Sequence, residues 1–317
     1  MKTGNLSIKK FHEIRNNILF ISDWGGLGDV IIHRMCFADV KKIIPEAKIH
    51  FCCLKQYFDI IIDHPMVDCL IEPDKLNKND YLVFYQTDVK ISNKYESHYG
   101  KKCNLNRSDI WALSCGYKIE DHDMYFKLDQ GVISSYKNKL DNLKKNKEKP
   151  SIIFCPESAI KTKCLLPHQI DFIDDILSEY NVFLLAKNIE KYKKYKFQSL
   201  GNTSIKDLMY YIASCDYVIS VDSAPFHLAG GMRKPLLGIF TFANGKTYGK
   251  YYDFVLMQKH YENGNWECGP CYNYRSCSKT NSEIKPCLQE IGNDEIENGI
   301  NSLFYKWPIL NKNHHNN

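Results

Sequence analysis

Short apolar runs alternate with amphipathic stretches almost from one end of this chain to the other, and few folds accept that rhythm. Asn17 to Ser22 (NILFIS) reads as a buried strand, followed by a glycine turn and a helical segment. In that segment Ile32, Met35, Cys36, Val40 and Ile43 share a face at helical spacing. Lys48 to Leu54 is the next strand, then a helix through Asp59 to Asp63, then strands around Val67 to Ile71 and Tyr81 to Tyr85. Thr87 to Gln130 is less regular, with one helix near Ser108 to Cys115. A Lys/Asn-rich amphipathic stretch, Val132 to Lys149, leads to Pro150, the natural domain boundary. A second series follows, with strands at Ser151 to Cys155, Val182 to Ala186, Tyr217 to Val221 and Leu236 to Phe240. Its helices are His168 to Tyr180, Ser204 to Ser214 (opened by a Ser204/Asp207 capping box) and Asp294 to Tyr305. Strand, helix, strand in this order implies parallel sheets with right-handed crossovers. The expected architecture is α/β: two doubly wound domains facing each other across a cleft.

Composition narrows the function classes. At 317 residues the chain has room for about two domains, each able to bury a core without disulfides or metal. No apolar run approaches the ~18 residues of a membrane span. The first residues, MKTGNLSIKKFHEIRNN, have no apolar h-region, so a cytoplasmic location is expected. Most of the thirteen cysteines lie in apolar segments and read as reduced core residues. A net charge of +5 does not call for nucleic acid, and it suits an anionic substrate or at most peripheral contact with a membrane.

Four motifs carry candidate chemistry. Gly25-Gly26-Leu27-Gly28-Asp29 joins the first strand to its helix. Glycines there let a ligand approach the backbone, and Asp29 is either a helix cap or a carboxylate presented into the cleft. Its spacing lacks the third glycine of the dinucleotide fingerprint. Val221-Asp222-Ser223-Ala224-Pro225-Phe226-His227 ends a β-branched strand and opens a helix whose free N–H groups suit a diphosphate. Asp222 is placed to accept from a ribose hydroxyl; His227 either faces the phosphates or is a core histidine. Glu157 to Lys163 follows the first strand of the second half, with Lys163 preferred over Lys161 as a phosphate partner. Cys268, Cys271, Cys277 and Cys287 have the spacing of an all-sulfur structural site for zinc or iron; reduced or disulfide-paired cysteines are the alternative.

With these residues in view, the chain resembles the glycosyltransferase family 9 heptosyltransferases. Leu27-Gly28-Asp29-Val30 with Pro45-Glu46-Ala47-Lys48-Ile49 is similar to that family's opening. Ser204 through Asp222-Ser223-Ala224-Pro225-Phe226-His227-Leu228-Ala229 to Phe240 is similar to its donor-site signature. Met35 stands where the family usually has Pro, and Asp23-Trp24 where a basic residue is more usual. The resemblance implies a GT-B fold. Residues 1–149 would form the acceptor-binding Rossmann-like domain and 150–292 the nucleotide-sugar domain, with the cysteine loop at 268–287. A helix at 293–306 would cross back to the first domain, and a disordered tail would follow at 307–317. It implies Asp29 as general base, Gly26 and Gly28 on the acceptor side, and Lys163, Asp222, Ser223, Ala224 and His227 on the donor. Partners are a nucleotide-diphosphate-sugar and a glycan or protein acceptor, with no catalytic metal. Two other readings stand beside it: a zinc-knuckle module binding nucleic acid or protein, and a non-catalytic nucleotide-sugar binder.

Overall fold

The computed structural model describes residues 15–201, 203–258, 269–272, 277 and 284–309. The chain divides into two compact units, Met1–Tyr95 with Leu105–Lys127, and Glu96–Asn104 with Leu128–Asn317.

The first unit is built on β1 (Asn17–Ser22), β2 (Lys48–Cys53), β3 (Val67–Ile71) and β4 (Val83–Gln86), all parallel in the order β3-β2-β1-β4. Apolar runs form its inner strands because both faces are covered: Leu19, Phe20 and Ile21 have no exposed surface. Helix α1 (Leu27–His33) follows β1, and α2 (Ala38–Ile43) follows it after a short 3₁₀ turn. Phe20, Phe37 and Phe51 meet edge to face at about 5.5 Å, fixing the α1–α2 segment on the sheet. Two expectations differ. Ile43 is 63% exposed, since the interruption at Arg34–Cys36 shifts the helical phase. The helix expected at Asp59 to Asp63 is a 3₁₀ turn over Lys55–Ile60.

Helix α3 (Val89–Tyr99) lies in the stretch read as irregular; its sequence VKISNKYESHY is too polar to show a stripe. Helix α4 (Arg107–Ser114) is opened by Asn106, whose Oδ1 accepts the Ser108 N–H at 3.0 Å, while Asp109 accepts the Asn106 N–H at 3.1 Å.

The second unit holds β5 (Ser151–Cys155), β6 (Asn181–Leu184), β7 (Gln198–Ser199), β8 (Tyr217–Val221), β9 (Leu236–Ile239) and β10 (Val255–Met257). They form one parallel sheet in the order β10-β9-β8-β5-β6-β7. Around it lie α5 (Gln130–Leu143), α6 (Pro167–Ile176), α7 (Ile205–Ser214), α8 (Ala224–Gly231), α9 (Gly245–Tyr248), α10 (Pro286–Gln289) and α11 (Asn293–Lys306). Ser204 and Asp207 form the expected capping box on α7 at 3.0 Å each way. Helix α5, in the stretch leading to Pro150, packs on α7 and belongs to this unit, with Tyr136 donating to Asp207. The resemblance implies a crossing of the last helix to the first unit. In the structure Ile296, Ile300 and Leu303 of α11 join the core of the second, beside Leu237 and Met257. Among the described residues no helix is long and apolar enough to cross a membrane. All described cysteines are free, and Cys69, on edge strand β3, is exposed where a core position was expected.

The first unit also depends on a buried cation. Arg34 has no exposed surface: Nε donates to Met124 O at 2.7 Å, Nη2 to Tyr125 O at 2.8 Å, and Nη1 to Ile60 O and to Asp63 at 2.7 Å. It thereby clamps the 124–126 segment to the 60–63 turn, with Phe126 stacked 4.0 Å from the guanidinium carbon. Arg34→Met strands Asp63 and three carbonyls, and should destabilise by about 3 kcal/mol, measured by urea unfolding.

Candidate functional site

In an open parallel sheet, ligands gather outside the carboxyl ends of the strands where the strand order reverses. That point lies between β1 and β4 in the first sheet and between β5 and β8 in the second. The sequence candidates fall on these two places.

After β1 the chain turns through Gly25, whose φ of 145° favours glycine, and enters α1 with Gly26 as its N-cap. A methyl on Gly25 would stand 3.1 Å from Asp29 Oδ2, so this glycine also makes room for the carboxylate. Asp29 caps the helix, as one of its two readings had it: Oδ2 accepts the Gly26 N–H at 2.8 Å, while Oδ1 meets Arg107 Nη1 at 2.5 Å. Gly28 sits half-buried in the first turn of α1. Arg107 is placed by the start of α4, and its Nη2 donates to Asn93 Oδ1 at 2.9 Å. Asp29 is 9% exposed. Burial pushes its carboxyl up, but the Arg107 guanidinium and the Gly26 N–H outweigh this and hold it below the usual value.

One turn on, His33 joins this loop to the end of β4. Its Nδ1 is 2.8 Å from Asp29 O, and its Nε2 is 2.7 Å from Thr87 O and 3.1 Å from Thr87 Oγ1. The ring is fully buried and stacks on Trp111 at 3.8 Å. Burial lowers its pKa to about 4, so it is neutral at pH 7. One ring N–H then donates to a carbonyl, and the Thr87 hydroxyl is within reach of the other nitrogen.

In the second unit β5 leads through Pro156 to a 3₁₀ turn, Lys161–Lys163. Cys164 Sγ receives the Ser158 N–H at 3.2 Å and braces that loop. Lys163 Nζ lies 2.6 Å from Asp222 Oδ2, the residue that ends β8, and both side chains are buried. Between the two lysines, the Thr162 hydroxyl is buried and has no partner among the described residues. Ser223 occupies the N-cap of α8 in extended conformation, but its hydroxyl turns to Ser220 Oγ at 3.2 Å instead of capping. The first turn of α8, from Ala224, therefore has no side-chain cap. His227 is set in an aromatic cluster of Phe226, Tyr248 and Tyr252, with Nδ1 3.2 Å from the Tyr252 hydroxyl. Gly230 admits that tyrosine: a methyl there would be 2.4 Å from its ring. A second buried ammonium, Lys285 Nζ, stands 3.9 Å from the Phe242 ring centroid, and Lys163 Nζ is 5.7 Å from the same ring.

Residues 81–279 match the profile of glycosyltransferase family 9 (heptosyltransferase), well over half of the chain. The chain belongs to glycosyltransferase family 9. It is a glycosyltransferase of the heptosyltransferase type, and the zinc-knuckle binding module is thereby set aside. No curated protein sequence matches it. Solved structures share its GT-B fold. ADP-heptose LPS heptosyltransferase II of Escherichia coli is 16% identical, with a TM-score of 0.65 over 92% of this chain and 99% of that one. A family 9 glycosyltransferase from Veillonella parvula is 13% identical, with a TM-score of 0.67 over 92% and 98%. The iron-containing dodecameric glycosyltransferase TibC of enterotoxigenic E. coli is 12% identical, with a TM-score of 0.66 over 92% and 77%.

Of the cysteine set, Cys277 and Cys287 are buried and Cys271 is half-buried, while Cys268 lies outside the described residues. Among the described residues no group of three His, Cys, Asp or Glu is placed to hold a metal ion. Sequence reading missed Arg107, Asn93, His33, Thr87 and Lys285. The Asn106-Arg107-Ser108-Asp109 helix start was the one legible signal, since a cap there aims the residue after it.

Between pH 6.5 and about 4 the unfolded chain takes up a proton that native His33 refuses, so stability falls as pH falls through that window. From pH 6.5 to 5 this amounts to about 2 kcal/mol. Urea unfolding of wild type and His33→Gln at both pH values should show a shallower loss in the variant.

Proposed function

We propose that this family 9 enzyme is an inverting, metal-independent transferase. It moves a heptose or related sugar from a nucleotide-diphosphate donor to a hydroxyl of a lipopolysaccharide-type glycan or a protein. ADP-heptose is the donor named for the E. coli relative and the first to test. The observation that carries the reading is the Lys163–Asp222 pair at the switch point of the second sheet, beside a helix start without a side-chain cap. A diphosphate exchanges for Asp222 at the Lys163 ammonium and takes the N–H groups at Ser223 and Ala224. Asp222, released, accepts from a ribose hydroxyl. His227 supports α8 from behind through Tyr252, and the orphaned Thr162 hydroxyl is a further donor to phosphate oxygen.

In the proposed reaction the acceptor hydroxyl attacks the anomeric carbon from the face opposite the leaving diphosphate, and its proton passes to Asp29. The anomeric carbon takes on oxocarbenium character, as in glycoside hydrolysis. Negative charge grows on the departing diphosphate, and Lys163 with the α8 N–H groups stabilises it. Asp29 suits the base because its lowered pKa keeps it ionised at neutral pH. Gly26 and Gly28 hold the loop low beside it. The described Cys271, Cys277 and Cys287 are not grouped to hold the structural zinc or iron that the cysteine spacing suggested, and no step runs through such a centre.

Asp29→Ala should lower turnover by about 10²–10⁴-fold and leave calorimetric binding of ADP-heptose unchanged. Turnover equal to wild type would remove Asp29 from the mechanism. Asp222→Ala should weaken nucleotide-sugar binding in the same calorimetric titration, since the ribose hydroxyl loses its carboxylate acceptor.

A further inference from the structure

We infer that Trp24 is the stacking platform for a neutral pyranose ring of the acceptor, a proposal that rests on the first unit being the acceptor side. Trp24 precedes Gly25, where a methyl would stand 3.1 Å from Asp29 Oδ2, so the indole is carried by the residue next to the one that makes room for the base. The loop is fixed: Trp24 O accepts the Val89 N–H at 3.3 Å, tying it to the first turn of α3. The side chain nevertheless stands 56% exposed. Lys90 Nζ lies 4.7 Å from its ring centroid, over one face.

The groups around the indole choose the ligand class. Gln86 Nε2 donates to Asp23 Oδ1 at 2.8 Å and to Asp88 Oδ2 at 3.1 Å, which uses both of its hydrogens. Asp88 Oδ1 accepts the Lys90 N–H at 2.8 Å. Asp23 Oδ2 and Gln86 Oε1 therefore remain as acceptors without a partner among the described residues. An open aromatic face binds the C–H side of a sugar ring, and neighbouring carboxylate and amide oxygens accept from its hydroxyls. A carboxylate there repels phosphorylated or carboxylated sugars. The Lys90 ammonium already lies over the indole, and the Arg107 guanidinium is engaged by Asp29 and Asn93.

The test is saturation-transfer NMR on the full chain with methyl α-mannopyranoside and a methyl heptopyranoside, and with methyl glucuronoside as the anionic control. Wild type should transfer saturation to the ring C–H protons of the neutral glycosides and little to the uronide. Trp24→Ala should weaken binding by about tenfold, and Trp24→Phe should keep most of it. Equal transfer in Trp24→Ala and wild type, no transfer in wild type, or a preference for the uronide would each overturn the platform. Thermal unfolding controls for the folding of each variant. Calorimetry with ADP-heptose and the turnover of Asp29→Ala report on the transferase reading separately, so either can fail alone.

Discussion

A charged side chain buried at the end of a parallel sheet needs a partner of opposite sign, and both candidate regions are organised by such a pair. Asp29 with Arg107 and Lys163 with Asp222 are each nearly sealed from water. Desolvation of an isolated ion costs several kcal/mol, so neither member could persist alone in its ionised form. Each pair also spans distant chain segments: Arg107 comes from α4 to meet the loop after β1, and Lys163 from the turn after β5 to meet the end of β8. The pairing therefore does structural work in fixing loops that parallel strands leave open.

Much of this was readable before any coordinates. Strand identity survived because parallel strands buried on both faces must be continuously apolar, as NILFIS and SIIFC are. The positions of Asp29, Lys163 and Asp222 followed from being just past such runs. What the sequence hid has physical reasons. Helix α3 carries polar residues on most faces and so lacks a stripe, and β7 is too short, at two residues, to show alternation. Arg107 was invisible as the partner of Asp29 because the two are 78 positions apart and only the fold connects them. The glycine at position 25 was read as letting a ligand approach the backbone; in the structure it leaves space for the Asp29 carboxylate in the first turn of α1.

The two pairs also bear differently on chemistry. A carboxylate held below its usual pKa is ionised at neutral pH but is a weak base, because the guanidinium that keeps it charged also competes for its lone pairs. Loosening the Arg107 contact raises the proton affinity of Asp29, since burial then acts without opposition. If Asp29 is the base proposed above, Arg107 sets a compromise between a base that is present and a base that is strong. Asn93 holds the other arm of the guanidinium and limits how far it can swing.

The Lys163–Asp222 pair poses the opposite question, what a ligand gains by breaking it. If a diphosphate simply replaced Asp222 on the ammonium, one ion contact would be traded for another and the net affinity would be small. Affinity grows when the displaced carboxylate finds a new donor and when N–H groups that had only water are satisfied. The first turn of α8 and the buried Thr162 hydroxyl supply such unmatched groups in the same unit. On the proposed reading the ion pair sets selectivity more than strength: it favours a ligand that brings both an anion for Lys163 and a separate sugar hydroxyl for Asp222, which a nucleotide diphosphate does and inorganic phosphate does not.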